Sequence, residues 1–158
     1  MNVPLSDQST PQNPTVSRLG RYLPLVLWMA VISYASTGGF SAINTSRIIS
    51  PLLLWLFPNT TPETLAAVHF GIRKASHFGE YCLLGLLSAR AFRKSSHLVV
   101  QRHWFLVALL LIAVYALLDE YHQSFVASRT GSIYDSFIDM VGGLTALIFI
   151  HQFKREVN

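Results

Sequence analysis

Four apolar stretches divide the chain, separated by shorter segments in which polar and charged residues collect. They lie at about 19–37, 65–91, 104–122 and 133–153. A bilayer core about 30 Å thick requires roughly 20 helical residues to cross it. The pattern therefore predicts four transmembrane helices.

Two further segments complete the predicted architecture. Residues 1–17 are polar and contain three prolines, which is typical of a flexible tail. The apolar segment 47–58 is too short to span a bilayer and is interrupted by Pro51, so we expect an interfacial or re-entrant segment. The predicted fold is an all-α membrane protein, with a tail followed by one membrane domain at 18–158.

Small residues recur along two of the predicted helices. They are Gly71, Ala75, Gly79, Gly85 and Ala89 in the second span, with Gly142 and Gly143 in the fourth. Small side chains allow helix backbones to approach closely in a membrane. We therefore expect close helix contacts along these two spans.

The composition agrees with this architecture and excludes two other classes of protein. The 158 residues are 51% hydrophobic and only 13% charged, with a mean hydropathy of +0.40. Soluble domains carry about 25% charged residues, so a typical soluble enzyme and a disordered protein are both excluded. The one cysteine, Cys82, excludes an intramolecular disulfide and a multi-thiolate metal site.

The net charge of +4 is explained by where the basic residues lie. Eight of them flank the spans on one predicted side: Arg18, Arg21, Arg90, Arg93, Lys94, Arg102, Lys154 and Arg155. The other two loops hold only Arg47 and Arg129. By the positive-inside rule, both termini and the tail are cytoplasmic. The positive charge then reflects topology, and we expect no binding to nucleic acid.

Ionisable residues also lie inside the predicted spans. On the second span they are His69, Arg73, His77 and Glu80, at i, i+4, i+8 and i+11, hence on one helical face. The third span ends, and the fourth begins, with a further set: Asp119, Glu120, His122, Gln123, Asp135 and Asp139. Three helices therefore bring polar ends together in the predicted outer half of the membrane.

These groups must pair with one another or line a hydrated cavity. One charge at the centre of a transmembrane helix costs about 2.5–3.5 kcal/mol, and several would exceed a typical stability of about 5–15 kcal/mol. The candidate cations are Arg73, Lys74 and Arg129, and the candidate carboxylates are Glu80, Asp119, Glu120, Asp135 and Asp139. The surplus of two carboxylates is where a proton, a metal ion or a cationic ligand could enter.

At these residues the chain resembles the VanZ-like family of small bacterial membrane proteins. Two blocks carry the resemblance, HFGIRKASHFGEYCLLGLL (69–87) and DEYHQSFVASRTGSIYDSFIDMVGG (119–143), and LPLVLWMAVISYAS resembles the family's first span. The resemblance implies a multi-pass protein of the bacterial inner membrane that is linked to the cell envelope. The founding member is associated with teicoplanin resistance, and no settled biochemical activity comes with the family.

The first functional hypothesis is a pocket that binds an envelope ligand, either a membrane lipid or a cell-wall precursor. The candidate binding residues are Arg73, Lys74, His77, Glu80, Gln123 and Arg129. Glu120 and Gln123 share a helical face at i, i+3, and Arg129 follows closely enough to fold back over it. A guanidinium offers five donors, of which one carboxylate can occupy only two.

The alternative hypothesis is a phosphoryl-transfer enzyme or lipid phosphatase. The spacing Ser128-Arg129-x5-Asp135-x3-Asp139 is similar to a block of the type 2 phosphatidic acid phosphatase-like family, with Asp135 at the position of its nucleophilic histidine. Arg129 would then bind phosphate oxygens and Asp135 would form an acyl phosphate. Glu120, a candidate base, and Asp139 complete the catalytic set. The other blocks of that family are absent, which leaves open whether a reaction is catalysed.

A metal site built from His77, Glu80, Glu120 and His122 is a third hypothesis. No short metal-binding motif supports it, so we assign no metal ligands and leave the cofactor unassigned. Four spans enclose only a small cavity, which also leaves a homodimer open.

The charge distribution gives a test of topology. Reporter fusions placed near residue 129 are expected to report the outer side of the membrane, whereas fusions at either terminus report the cytoplasm. A cytoplasmic signal from the loop around residue 129 would contradict the four-span topology.

Overall fold

The computed structural model describes residues 14–37, 42–126 and 132–156, and all regular secondary structure in these ranges is helical. The helices are α1 (Pro14–Ala35), α2 (Ala42–Leu56), α3 (Pro62–Arg93), α4 (Leu98–Arg102), α5 (Trp104–Ser124) and α6 (Ile133–Glu156). The four predicted spans correspond to α1, α3, α5 and α6, with the first extending two residues beyond α1, and the all-helical prediction is confirmed.

The segments predicted outside the spans differ in detail. Helix α1 already begins at Pro14, inside the predicted tail, because proline is favoured in the first turn of a helix. The rest of the tail, residues 1–13, lies outside the described residues. The apolar segment around Pro51 is the second half of α2, and the predicted interruption there is wrong. A proline removes a single intrahelical hydrogen bond, and apolar helices tolerate that loss.

Two of the helices are long and apolar enough to cross a membrane on length and composition alone. They are α5, over Trp104–Ser124, and α6, over Ile133–Phe153. The apolar part of α2, Thr45–Leu56, is shorter. Helices α1 and α3 are long enough but carry charged residues, among them Arg21, Arg73 and Lys74.

Helix α3 is the centre of the bundle and packs against each of the other five helices. Its 32 residues extend over about 48 Å at 1.5 Å per residue. The N-terminus of α3 is capped. Thr61 is the N-cap, its side chain accepts a hydrogen bond from the Thr64 backbone N–H, and Pro62 follows it. The core around α3 consists of Leu25, Ile32, Tyr81, Leu84, Ala89, Ala91, Ala108, Ile112, Ala116 and Leu147.

The four long helices alternate in direction along the chain. Between α3 and α6 the contacting residue numbers rise together, as in Arg73–Asp135 and His77–Asp139. Between α5 and α6 one number rises as the other falls, as in Ile112–Gly143 and Ala116–Ser136. The same holds between α1 and the α3 region, as in Tyr22–Ser95 and Trp28–Glu80. Helices α3 and α6 are therefore parallel, and each is antiparallel to a sequence neighbour.

Glycines let α6 approach its neighbours closely. A Cβ atom at Gly142 would lie 2.3 Å from the carbonyl oxygen of Phe78, and one at Gly143 would lie 2.7 Å from the Ile112 side chain. At Gly85 the nearest atom is the carbonyl oxygen of Gly143, at 2.7 Å. The predicted close contact is confirmed at Gly85, Gly142 and Gly143. It is wrong for Gly71 and Gly79, where a Cβ atom would have nothing within 4 Å.

The buried face of α5 changes from apolar to polar along the helix. On α5, Ala108, Ile112 and Ala116 are followed on the same face by Asp119, Glu120 and Gln123, all buried. Outside the bundle the pattern is the reverse, since side chains such as Leu110 and Phe137 are more than 60% exposed. An apolar exterior around a polar interior is what lipid surroundings require.

The glycine contacts give a test of the α3–α6 interface. Gly142→Ala would force a methyl group against backbone that cannot rotate away, so we expect a loss of about 1–3 kcal/mol and a lower melting temperature in detergent. Gly79→Ala is the matched control, because its position is open and alanine favours the helix by about 1 kcal/mol. Equal melting temperatures for the two variants would contradict the interface.

Candidate functional site

Two groups of ionisable side chains meet at one end of the bundle. We call the first the acidic cluster; it consists of His77, Asp119, Glu120 and Asp139. We call the second the ion-pair triad; it consists of Arg73, Lys74 and Asp135. They adjoin each other because Arg73 and His77 lie one turn apart on α3, as Asp135 and Asp139 do on α6.

The acidic cluster is built from three helices and is almost closed to solvent. Each residue places one potential ligand atom within 4.8 Å of those of the others. All four residues are buried, and Asp139 is fully so. The Nδ1 atom of His77 lies 3.0 Å from Oδ1 of Asp139, which joins α3 to α6.

Asp119 is held by hydrogen bonds from two other helical positions. The Ser36 hydroxyl, just beyond the end of α1, donates to Oδ1 of Asp119. One turn along α5, Gln123 Nε2 donates to Oδ2 at 3.0 Å. The same amide lies 3.5 Å from the Ser36 oxygen. Both oxygens of Asp119 are therefore fixed in direction.

Glu120 and Asp139 are held on one side only. Oε2 of Glu120 accepts a hydrogen bond of 2.6 Å from the backbone N–H of Ser132, just before α6. Within the described ranges, Glu120 Oε1 and Asp139 Oδ2 are buried with no hydrogen-bond partner. Tyr81 OH and Gln123 Oε1 share that condition. Buried polar atoms are nearly always paired, so the unpartnered oxygen atoms at this end of the bundle are unusual and could accept hydrogen bonds or bind a cation.

The ion-pair triad joins α3 to α6 beside the cluster. Arg73 Nη2 lies 3.1 Å from Oδ2 of Asp135, and Lys74 Nζ pairs with Oδ1. The Asp135 side chain is 2% exposed, whereas those of Arg73 and Lys74 are 29% and 23% exposed. Lys74 also lies over the Phe70 ring, 5.0 Å from its centroid. Both oxygens of Asp135 are engaged, and this geometry gives no support to its predicted role as a nucleophile.

A cavity of about 140 Å³ opens beside the cluster, between α1, α2, α3 and α5. Its polar wall is formed by Ser36, His69, Arg73, His77, Glu80 and Gln123. The predicted helical face of α3 is confirmed, because all four of its residues line this one cavity. His77 and Gln123 also belong to or contact the acidic cluster, so the cavity and the cluster share a wall.

The structure brings most of the predicted site residues together. Glu120, Asp139 and His77 meet in the acidic cluster, and Glu80 and Gln123 line the cavity. Arg73, Lys74 and Asp135 form the ion-pair triad. Arg129 lies outside the described residues, so its placement stays a prediction.

Asp119 and His69 were named among the ionisable residues of the spans but were given no binding or catalytic role, and Ser36 was not named. Asp119 is central to the cluster, Ser36 holds it, and His69 lines the cavity 2.9 Å from Ser50. A signal for Asp119 existed, since it sits at the polar end of an apolar stretch like Glu120 does. Ser36 likewise ends the first apolar stretch. The serine contact itself depends on tertiary packing between α1 and α5.

Comparison with known protein families gives one match over most of the chain. Residues 21–154 match the family described as VanZ/LLP1, which confirms the resemblance found in the sequence. No curated protein and no solved structure matches the chain. With the two apolar helices α5 and α6, the match indicates a membrane protein.

The contribution of the ion-pair triad to the stability of the bundle can be tested by substitution. Asp135→Asn leaves two cations facing a neutral amide, and we expect a loss on the order of 3 kcal/mol, at the low end for a broken buried pair since both cations are partly exposed. Adding Lys74→Met to this variant should restore part of the melting temperature, because contacting residues are energetically coupled. Strictly additive effects of the two substitutions would show that the pairing of Lys74 with Asp135 does not stabilise the protein.

Proposed function

The chain belongs to the VanZ/LLP1 family, and we propose that it is a four-span protein of the bacterial inner membrane that binds the anionic head of an envelope lipid or cell-wall precursor. The observation that carries the proposal is the cavity of about 140 Å³, which has charged and polar walls inside an otherwise apolar bundle. Ionisable groups placed this deep among apolar helices are costly, and they mark binding or transport sites in membrane proteins.

Four spans rather than two are supported by where the charges of α3 point. His77 is buried, and Arg73 and Lys74 pair with Asp135 of α6. Average hydropathy counts these residues against a membrane helix although they face other helices, not lipid. The alternating directions of α1, α3, α5 and α6 support the same topology, because each connection then crosses from one side to the other.

Cytoplasmic termini are supported by a basic end of the bundle opposite the acidic cluster. Arg90, Arg93, Lys94 and Arg102 line a shared surface depression there. Arg21 of α1 reaches the same end, with its Nη1 donating to Ser96 at 3.1 Å. Arg93 lies over the Trp104 ring, 5.6 Å from its centroid, as aromatic and basic residues do at a membrane interface. The site then opens toward the outer leaflet.

The size of the cavity favours a small headgroup, and its donors allow that group to be anionic, although Glu80 also lies on the wall. A volume of about 140 Å³ accommodates a phosphate or carboxylate head and excludes a whole glycopeptide. Arg73 supplies a guanidinium at the wall, and His69 and His77 supply imidazole donors. Retention of such a lipid or precursor in the outer leaflet is the route by which we propose a link to teicoplanin resistance.

The test is ligand binding by the full chain in nanodiscs. We expect saturable binding of phosphatidic acid or a polyprenyl phosphate, titrated separately against phosphatidylcholine as the neutral lipid. Arg73→Gln should weaken binding at least tenfold, because a hydrogen bond to a charged group contributes about 1.5–3 kcal/mol. His69→Gln is a second wall variant, which removes no partner of Asp135. Arg93→Gln, at the opposite end, is the matched control and should bind like the parent.

Three results would overturn this proposal. The first is the absence of saturable binding for either lipid, and the second is equal binding by the parent, Arg73→Gln and His69→Gln proteins. The third is release of inorganic phosphate that disappears in Asp135→Asn. That result would replace ligand binding by the phosphoryl-transfer hypothesis.

A further inference from the structure

We propose that the acidic cluster binds one divalent transition-metal ion, of the Mn²⁺ or Zn²⁺ type. The ligands would be the imidazole of His77 and one carboxylate oxygen each from Asp119, Glu120 and Asp139. This set differs from the one considered from sequence, in which Glu80 and His122 stood in place of the two aspartates. Glu80 lies on the cavity wall, and His122 is exposed on the surface of α5.

The distances in the cluster suit a single ion. Zinc–oxygen and zinc–nitrogen bonds are about 2.0–2.2 Å long, so the ligand atoms of a tetrahedral ion lie roughly 3.4 Å apart. The four ligand atoms already lie within 4.8 Å of one another. Side-chain movements of roughly 1 Å would close the longest of these separations to a coordination distance.

Unpartnered oxygen atoms give an independent indication of a ligand. Within the described residues, Glu120 Oε1 and Asp139 Oδ2 have no hydrogen-bond partner, although the two residues are only 7% and 0% exposed. A buried acceptor without a partner loses its hydration and gains nothing in return. A cation bound between these carboxylates would satisfy both atoms at once.

The charges around the cluster also indicate a bound cation. Among the described residues, the ion pairs of lysine and arginine with carboxylates all go to Asp135. Within the described residues, the ion pair of the acidic cluster joins Asp139 to the imidazole of His77. Buried charges are paired or bind metal ions, and a divalent ion would balance two of the three negative charges.

Surrounding groups already orient the proposed ligands. Ser36 and Gln123 fix Asp119, and the Ser132 backbone N–H fixes Glu120. Outer hydrogen bonds of this kind direct metal ligands and raise affinity. One imidazole among three carboxylates favours Mn²⁺ or Zn²⁺ over a thiolate-preferring ion such as Cu⁺.

The experiment uses the full chain in nanodiscs, stripped with a chelator and titrated with MnCl₂ or with ZnCl₂ in the absence of any lipid ligand. We expect one ion per chain and a higher melting temperature in the presence of the metal. Glu120→Gln and Asp139→Asn should each weaken binding by about 100-fold, since loss of even an outer-shell partner costs up to that factor. Glu63→Gln, which changes an exposed carboxylate in the first turn of α3, is the matched control.

A spectroscopic signature separates the cluster from adventitious carboxylate binding. Bound Mn²⁺ should show coupling to a nitrogen nucleus of His77, and His77→Gln should abolish that coupling. Glu120→Gln keeps the shape of the side chain and so remains informative if Asp139→Asn does not fold. Less than one ion per chain in the parent, parent-like affinity in Glu120→Gln, or Mn²⁺ without nitrogen coupling would each overturn the proposal. Because no anionic lipid ligand is added, these results are independent of the ligand-binding test.

Discussion

The requirement to compensate carboxylates buried between helices determines how this bundle is assembled. Asp135 on α6 takes its two cations from α3, and one turn further along the same pair of helices Asp139 meets His77. Both contacts advance by one turn on each helix, so they hold α3 and α6 parallel in a single register. Glycines then close the interface beyond the charged end. A slip of one turn would separate Asp135 and Asp139 from these partners, and breaking a buried ion pair costs about 3–5 kcal/mol.

Sequence reasoning could identify the polar face of α3 and the surplus of acid because both depend on local spacing and on counting. It could not assign partners. The count placed three cations against five carboxylates, but the structure gives two of those cations to Asp135 alone. Among the described residues, the acidic cluster is then left with the imidazole of His77, and Arg129, the third cation of the count, lies outside them. The pairing is decided by the relative register of α3 and α6, and no short-range pattern in the chain records that register.

The same limit explains the count of membrane helices. Hydropathy averages a helix over all its faces, and it therefore recognises α5 and α6, whose polar residues gather near one end. Helix α3 carries its polar residues along one inward face through the middle of its length. Tertiary packing makes that face acceptable, because Trp28 of α1 donates to the Glu80 carbonyl oxygen and both α5 and α6 pack against α3. In the proposed four-span topology, α3 can therefore be identified as a span only once its neighbours are known.

Gln123 connects the two parts of the site. Its amide nitrogen donates a hydrogen bond to Asp119 and lies 3.5 Å from the Ser36 oxygen. Its carbonyl oxygen is buried without a partner in the described part of the chain. The residue also forms part of the cavity wall. An amide has a fixed donor end and a fixed acceptor end. A ligand that accepts from the Gln123 amide nitrogen therefore competes with Asp119, whereas a ligand that donates to the Gln123 carbonyl oxygen strengthens the hydrogen bond to Asp119. Occupancy of the cavity and the geometry of the acidic cluster are thus linked through one side chain, and the link runs in both directions because binding free energies are reciprocal.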